Sequence, residues 1–387
     1  MAHRRRRSAS PPPAVAAAPS PEFEPRLRWL MYALRGWIVA MLVATLWLTW
    51  PLWGERAEPP KLPLIEWPPF GQWGTLMIAT AATCIAWPRA GLAAHVLVSL
   101  AAMTDDQTRM QPQLLSFWFL LLGTLPQAPA QLVGRAHLAS LWFFSGLHKL
   151  LSRGYYDDVA PFMWQGVFPA ADWPHVPNYS FAFGLLTALA ETAIGIAVLF
   201  PRLRRPAAVA AALLHLGIVC ILYRLQWNTS VWPWNLGLAV VAPALLLTWK
   251  RSVAEERHAC GLPAFVVAAG LFLSPLLYYA GLLDAYLSYC LYSANVPTAV
   301  FDPAMPGAPT YTINDYPVGP YWKNLNVPQP PTHRNFELYF RRTAKPGDAM
   351  LVEDPRASAV WFGNDRYVWR YAPTGIERVL APPAAPR

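Results

Sequence analysis

Apolar runs recur from Trp29 almost to residue 290, and they leave this chain little choice but helices in lipid. Nine stand out: Trp29 to Trp53, Trp73 to Trp87, Ala90 to Met103, Leu114 to Leu125, Leu132 to Leu151, Phe181 to Phe200, Ala207 to Tyr223, Val231 to Trp249 and Leu262 to Leu283. The third and fourth are short. A bilayer core about 30 Å thick takes about 20 apolar residues of helix to cross. Backbone amides find no water there, so each run must close its own hydrogen bonds, as a helix does and a lone strand does not. The expectation is an all-α polytopic membrane bundle of about nine transmembrane helices. Composition agrees: 55% of residues are hydrophobic and 14% charged, against roughly 25% charged in a soluble domain.

Cytoplasmic loops collect Lys and Arg, which sets an orientation. Arg4 to Arg7, Arg26 and Arg28, then Arg202, Arg204 and Arg205, then Lys250, Arg251 and Arg257 all fall on one side of a nine-span arrangement. The N-terminus is then cytoplasmic and the C-terminus outside, in a multi-pass protein of a bacterial inner membrane. On this reading the basic balance, formally +9, follows from topology, and nucleic acid is not a partner. Residues 1–28 read as a disordered basic arm and 29–287 as the bundle. From Ser288 on, Pro, Asn, Asp and Tyr replace Leu and Ala. Phe336-Glu-Leu-Tyr-Phe and Tyr367-Val-Trp-Arg-Tyr read as strands, so 288–381 is expected to be a small outer β-rich domain and 382–387 a disordered tail.

Ionisable groups inside lipid are expensive, so each is a candidate for function or for pairing. Glu191 and His215 fall near the middles of adjacent spans, where they can share a hydrogen bond or a proton, as a staple or as a polar wall. His95 and His137 read as structural. No two histidines have a helical metal spacing, and the cysteines at 84, 220, 260 and 290 stand singly, so no metal and no disulfide framework is expected. The junction Thr104-Asp-Asp-Gln-Thr-Arg-Met-Gln-Pro is the densest polar cluster of the membrane half. Asp105, Asp106, Gln107, Arg109 and Gln111 either form a solvated connection or orient a polar head group. Trp164, Phe168, Trp173, Trp227, Trp232 and Trp234 map to outer ends, as an interfacial belt; alternatively the stretch around Trp164 roofs a cavity. Lys149, at the outer end of its run, must snorkel to water or be hidden by a helix packed on Ser145 and Gly146. A hidden amine loses its proton more readily and can act as a base.

Leu141-Trp-Phe-Phe-Ser-Gly-Leu-His-Lys-Leu, followed by Tyr155-Tyr-Asp-Asp, resembles the signature of the vitamin K-dependent γ-carboxylase-like HTTM superfamily, distantly similar to DoxX-type membrane proteins. Asp106-Gln-Thr-Arg-Met-Gln-Pro, Glu191, His215 and Trp232-Pro-Trp-Asn extend the likeness over about residues 30 to 290. The resemblance implies an outward-facing cavity in which Lys149 is the base on a lipid-soluble reduced quinone, in a quinol-dependent carboxylase-like or oxidoreductase-like activity. Asp106 and Arg109 would orient the head group, with Glu191 and His215 as a deeper polar wall. Animal carboxylases carry an Asn-Asn-His-rich motif where this chain has Asp106-Gln-Thr-Arg, which sets glutamate carboxylation aside. Two other roles fit the residues: a non-catalytic anchor or assembly partner for an extracytoplasmic protein, and a DoxX-like quinone-linked redox subunit.

Overall fold

The computed structural model describes residues 25–56, 59–168, 176–290, 292–304, 310–312, 333–353 and 366–380. The expected tail, Trp173 and all of the basic arm but residues 25–28 lie outside them. The membrane half is built from α1 (Pro25–Leu48), α2 (Trp73–Ala86), α3 (Pro88–Asp105), α4 (Pro112–Gly123), α5 (Ala128–Leu150), α6 (Ala160–Val167), α7 (Val176–Ala197), α8 (Arg204–Arg224), α9 (Trp232–Leu247) and α10 (Val253–Leu273). Each of the nine apolar runs overlaps one of these helices; α6 is an addition, entered through a π-helical turn at Tyr155–Val159. Five stretches, Arg26–Leu48, Asn178–Ala197, Arg204–Arg224, Thr229–Leu247 and Val253–Tyr278, are long and apolar enough to cross a bilayer. The chain is a multi-pass integral membrane protein.

Local chemistry sets the ends. Pro88, Pro112, Pro129 and Pro233 open α3, α4, α5 and α9, where the missing N–H is no loss. A reciprocal capping box of Ser252 and Glu255 opens α10. That helix breaks at Gly261, whose φ of +79° suits a residue without a side chain, and Pro263 follows directly. Close approach of α5 and α7 depends on two further glycines. A Cβ on Gly146 would strike Thr192 and Ala188, and one on Gly195 would strike the Phe143 backbone. The partner that Ser145 and Gly146 admit is therefore α7.

Beyond α10 the chain does not simply leave the bundle. A 3-10 turn at Ser274–Tyr278 leads into a polar stretch in which Asp284, Ser288, Tyr289, Cys290, Ser293 and Asn295 are all buried. Tyr289, Tyr292 and Ala294 hold positive φ without being glycine, a conformation that surrounding contacts must enforce.

The C-terminal module is a five-stranded antiparallel sheet in the order β2-β1-β3-β4-β5, from β1 (Thr298–Asp302), β2 (Tyr311–Thr312), β3 (Ala349–Glu353), β4 (Arg366–Ala372) and β5 (Gly375–Leu380). Tyr367-Val-Trp-Arg-Tyr is in β4, as its alternation predicts. Phe336-Glu-Leu-Tyr-Phe is not a strand but lies in helix α11 (His333–Thr343). The buried side chains there are Phe336, Tyr339 and Phe340, and that i, i+3, i+4 spacing marks one face of a helix. Phe340 meets Phe301 of β1 at 5.8 Å between ring centres.

Candidate functional site

Lys149 stands one residue from the end of α5, and its side chain turns inward rather than toward water; only 4% of the residue is exposed. Its ammonium donates to Glu191 Oε2 of α7 at 2.5 Å, to Ser145 Oγ at 2.9 Å and to the Ser145 carbonyl at 3.4 Å. Three donors meet three acceptors, so the charged amine is fully satisfied. Bringing two opposite charges out of water costs several kcal/mol per ion, and only close geometry with further hydrogen bonds returns it. The helix approach at Gly146 and Gly195 supplies that geometry.

His215 of α8 lies beside this pair but does not share its proton. Trp142 Nε1 donates to His215 Nε2 at 3.0 Å, and His215 Nδ1 meets Asn235 Oδ1 at 2.9 Å. An indole nitrogen only donates, so Nε2 is the acceptor and the proton sits on Nδ1. Asn235 is oriented in turn by its amide donating to the Val231 carbonyl at 3.0 Å. Glu191 therefore pairs with Lys149, while both ring nitrogens of His215 are taken by Trp142 and Asn235.

Around the pair is a cavity of about 40 Å³ lined by Trp142, Ser145, Lys149, Glu191, His215 and Asn235, with Trp234 and Tyr292 also on its wall. This is room for a few waters, far below the roughly 300–1,000 Å³ of ordinary small-molecule pockets. Trp234 Nε1 is buried with no hydrogen-bond partner. Tyr292 belongs to the buried stretch after α10 and accepts from Asn228 Nδ2 at 3.0 Å. A roomier cleft of about 750 Å³ opens where α5 ends and α7 begins, with Leu150, Ser152, Arg153, Tyr156, Asp157 and Phe181 among its walls.

The outer polar junction forms a separate cluster. Asp105 accepts from Arg109 at 2.7 Å and from Trp73 Nε1 at 3.0 Å, and Lys61 lies 3.3 Å away. Asp106 pairs with Arg56 at 2.5 Å and accepts from Leu62 N and from Thr108. Arg109 also donates to the carbonyls of Leu52, Gly54 and Ala102. Gln107 gives its backbone N–H to Leu62, and Gln111 Nε2 donates to the Thr108 carbonyl. None of the ion pairs or hydrogen bonds of Asp105, Asp106 and Arg109 reaches Lys149. Asp105, Asp106 and Arg109 are buried rather than solvated, and they tie the chain just after α1 to the start of α2 and the end of α3. Trp164 sits in an aromatic cluster with Phe168, Tyr179 and Phe183 between α6 and α7, away from the cavity wall.

Three side chains of this region carried no assigned role in the sequence: His148, Asn235 and Tyr292. His148 Nδ1 meets Tyr279 Oη at 2.7 Å and Nε2 meets the Ser288 carbonyl at 2.7 Å. A carbonyl only accepts, so Nε2 carries the proton and the Tyr279 hydroxyl donates to Nδ1. Burial pushes the Tyr289 hydroxyl up, which keeps it protonated. Tyr289 in turn meets His137 Nδ1 at 2.9 Å, and His137 Nε2 meets Ser116. The stretch after α10 is thereby sewn to α5. A histidine directly before the lysine was the one available signal, and its partners lay 130 to 140 positions away. Among the described residues no three His, Cys, Asp or Glu side chains converge on a point where a metal could sit.

Residues 127–231 match the family model of methylamine utilisation protein MauE, a DoxX-like membrane family. The matched stretch, about a quarter of the chain, runs from the start of α5 through α8 and contains Lys149, Glu191 and His215. No curated protein and no solved structure matches the chain.

Proposed function

We propose that this chain is a non-catalytic membrane partner, of DoxX-like build, that anchors or helps assemble an extracytoplasmic protein. In this reading α5 to α8 are a rigid scaffold, the stretch through Asn295 stays packed on it, and the module that begins at β1 meets the client. The observation that carries it is the buried Lys149–Glu191 pair: an amine held by three acceptors beside a cavity of about 40 Å³ is suited to holding helices together more than to admitting a substrate. The matched family's name points to methylamine utilisation as the kind of process served. Nine crossings, with the N-terminus cytoplasmic and the C-terminus outside, complete the proposal; they rest on nine helices matching nine apolar runs and on the basic stretches at 202–205 and 250–257.

The test is chromosomal replacement, read by which proteins are lost from the extracytoplasmic fraction. Truncation after Asn295 should lose the client, whereas Lys149→Met with Glu191→Met should retain it, since a buried pair can be exchanged for apolar groups of similar volume at little cost. A double variant that folds yet loses the client overturns the proposal.

A second reading keeps Lys149 as base on a lipid-soluble quinol, in line with the HTTM resemblance. What favours it is the 750 Å³ cleft that begins at Leu150, the next residue, within the size range of ligand pockets. Glu191 would receive the amine's proton. Turnover of a reduced quinone that vanishes in Lys149→Met would establish it.

A further inference from the structure

The connection between α1 and α2 is unusual for a loop outside a membrane: it is apolar, ordered and turned outward. Leu64, Ile65, Trp67 and Phe70 are 68%, 50%, 44% and 37% exposed. They are not loose. The amides of Leu64 and Ile65 both donate to the Thr104 carbonyl at 2.8 and 3.0 Å, and Trp67 Nε1 donates to Thr104 Oγ1 at 3.0 Å. Leu62 N donates to Asp106 at 3.2 Å, Leu62 O accepts from Gln107, and Phe70 N donates to Glu55 at 2.8 Å. The loop is clamped against the last turn of α3 with Leu64 and Ile65 the most exposed, the Trp67 indole edge on Thr104 and Phe70 edge-on against Trp73.

Three observations identify what covers them. First, α2 has 14 residues, so it rises only about 21 Å at 1.5 Å per residue, some way short of the roughly 30 Å hydrocarbon core. The loop leads directly into the start of α2 and adds apolar surface where the helix falls short. Second, that surface continues the outward row formed by Leu76 on α2 and by Leu97 and Leu100 on α3, all exposed; Thr104, the loop's anchor, is one helical turn beyond Leu100. Third, the loop's charges are paired. Lys61 pairs with Glu55 and Asp105, and Glu66, 81% exposed, pairs with Arg342 of α11 at 2.7 Å. An apolar face level with a lipid-facing row, with a paired carboxylate at its polar edge, is the composition of an interfacial segment.

We infer that residues 64–70 lie in the interface of the outer leaflet, where they extend the short α2. The occupant of this face is phospholipid, at the level between head groups and the first methylenes, and Trp67 sits where aromatic rings favour that boundary.

The experiment uses the full-length chain in lipid nanodiscs with a trifluoromethyl-phenylalanine in place of Ile65, or in a second variant in place of Leu64. A nitroxide carried high on a lipid chain should broaden the fluorine resonance several-fold more than a water-soluble gadolinium chelate does. In parallel, a benzophenone amino acid at position 65 in native membranes should give lipid adducts on illumination. Broadening dominated by the aqueous chelate overturns the inference, as does a benzophenone adduct on a protein, which would make this face a protein-docking surface. Elution as a folded species and retention of both placements guard against a misfolded variant. This inference does not depend on the role assigned to Lys149.

Discussion

Two clusters of buried charge lie in the same membrane half and are satisfied in opposite ways. At the outer turn, Asp105, Asp106, Arg109, Arg56 and Lys61 interlock with one another and with three backbone carbonyls. In the bundle, Lys149 and Glu191 form a single ion pair with Ser145 as its only other partner, beside a small cavity. The first has redundancy: each carboxylate is held from several sides, and the guanidinium fork of Arg109 also reaches three carbonyls, two of which, at Leu52 and Ala102, have a second donor. The second has none, so its stability and any chemistry it does depend on one contact. A dense run of charges in sequence marked an interlocked cluster, whereas an isolated lysine marked a single staple between two helices.

The comparison is broken most severely at Arg109. Arg109→Leu strips two buried carboxylates and three carbonyls of a partner, and a buried pair opened in this way costs about 3–5 kcal/mol. The expected outcome is loss of folded, detergent-soluble protein on size exclusion; a well-folded Arg109→Leu would show that redundancy extends further than drawn. Asn235→Leu comes next. It leaves the His215 Nδ1–H unpaired in a buried site, worth about 1–3 kcal/mol, and a lowered thermal midpoint with unchanged oligomeric behaviour is expected. Arg204→Met sharpens the contrast at the opposite end of the bundle. There Arg204 stacks on Trp249 at 3.7 Å and caps the Val198 and Trp249 carbonyls; loss of the stacking alone is worth about 0.5–2 kcal/mol. The smallest effect belongs to Arg153→Ala. Its ion pair with Asp157 is 93% and 57% exposed on its two sides, and such pairs contribute little, so the thermal midpoint should stay within scatter.

How far the sequence could be read follows from range. The helical character of the apolar runs was legible because lipid allows one backbone solution per run and proline marks several starts, although α10, Val253–Leu273, begins and ends well before its run Leu262 to Leu283. The burial of Lys149 was one of two readings the sequence left open, with Ser145 and Gly146 in the same turn as its signal. What it pairs with was not, because Glu191 is 42 positions away and its alternative partner, His215, matched it in depth. The outer junction looked solvated only because Arg56 and Lys61, which neutralise it, lie about 44 to 50 positions earlier in an unremarkable loop. Phe336-Glu-Leu-Tyr-Phe is compatible with either period over five residues, and burial of Phe336, Tyr339 and Phe340 against the sheet decided for helix. The burial of Asp284 to Asn295 had no local signal at all: polar residues next to an apparent domain boundary read as exit, and only the acceptors and donors of His137 and His148 draw them in.

The central claim is that Lys149 and Glu191 act as a mutually dependent staple. A double-mutant cycle tests it: Lys149→Met, Glu191→Met and the two together, compared by denaturant titration in mild detergent. The account predicts that each single change costs about 3–5 kcal/mol by stranding a buried charge, and that the double variant recovers most of it. Losses that simply add, or single variants as stable as the parent chain, would contradict it.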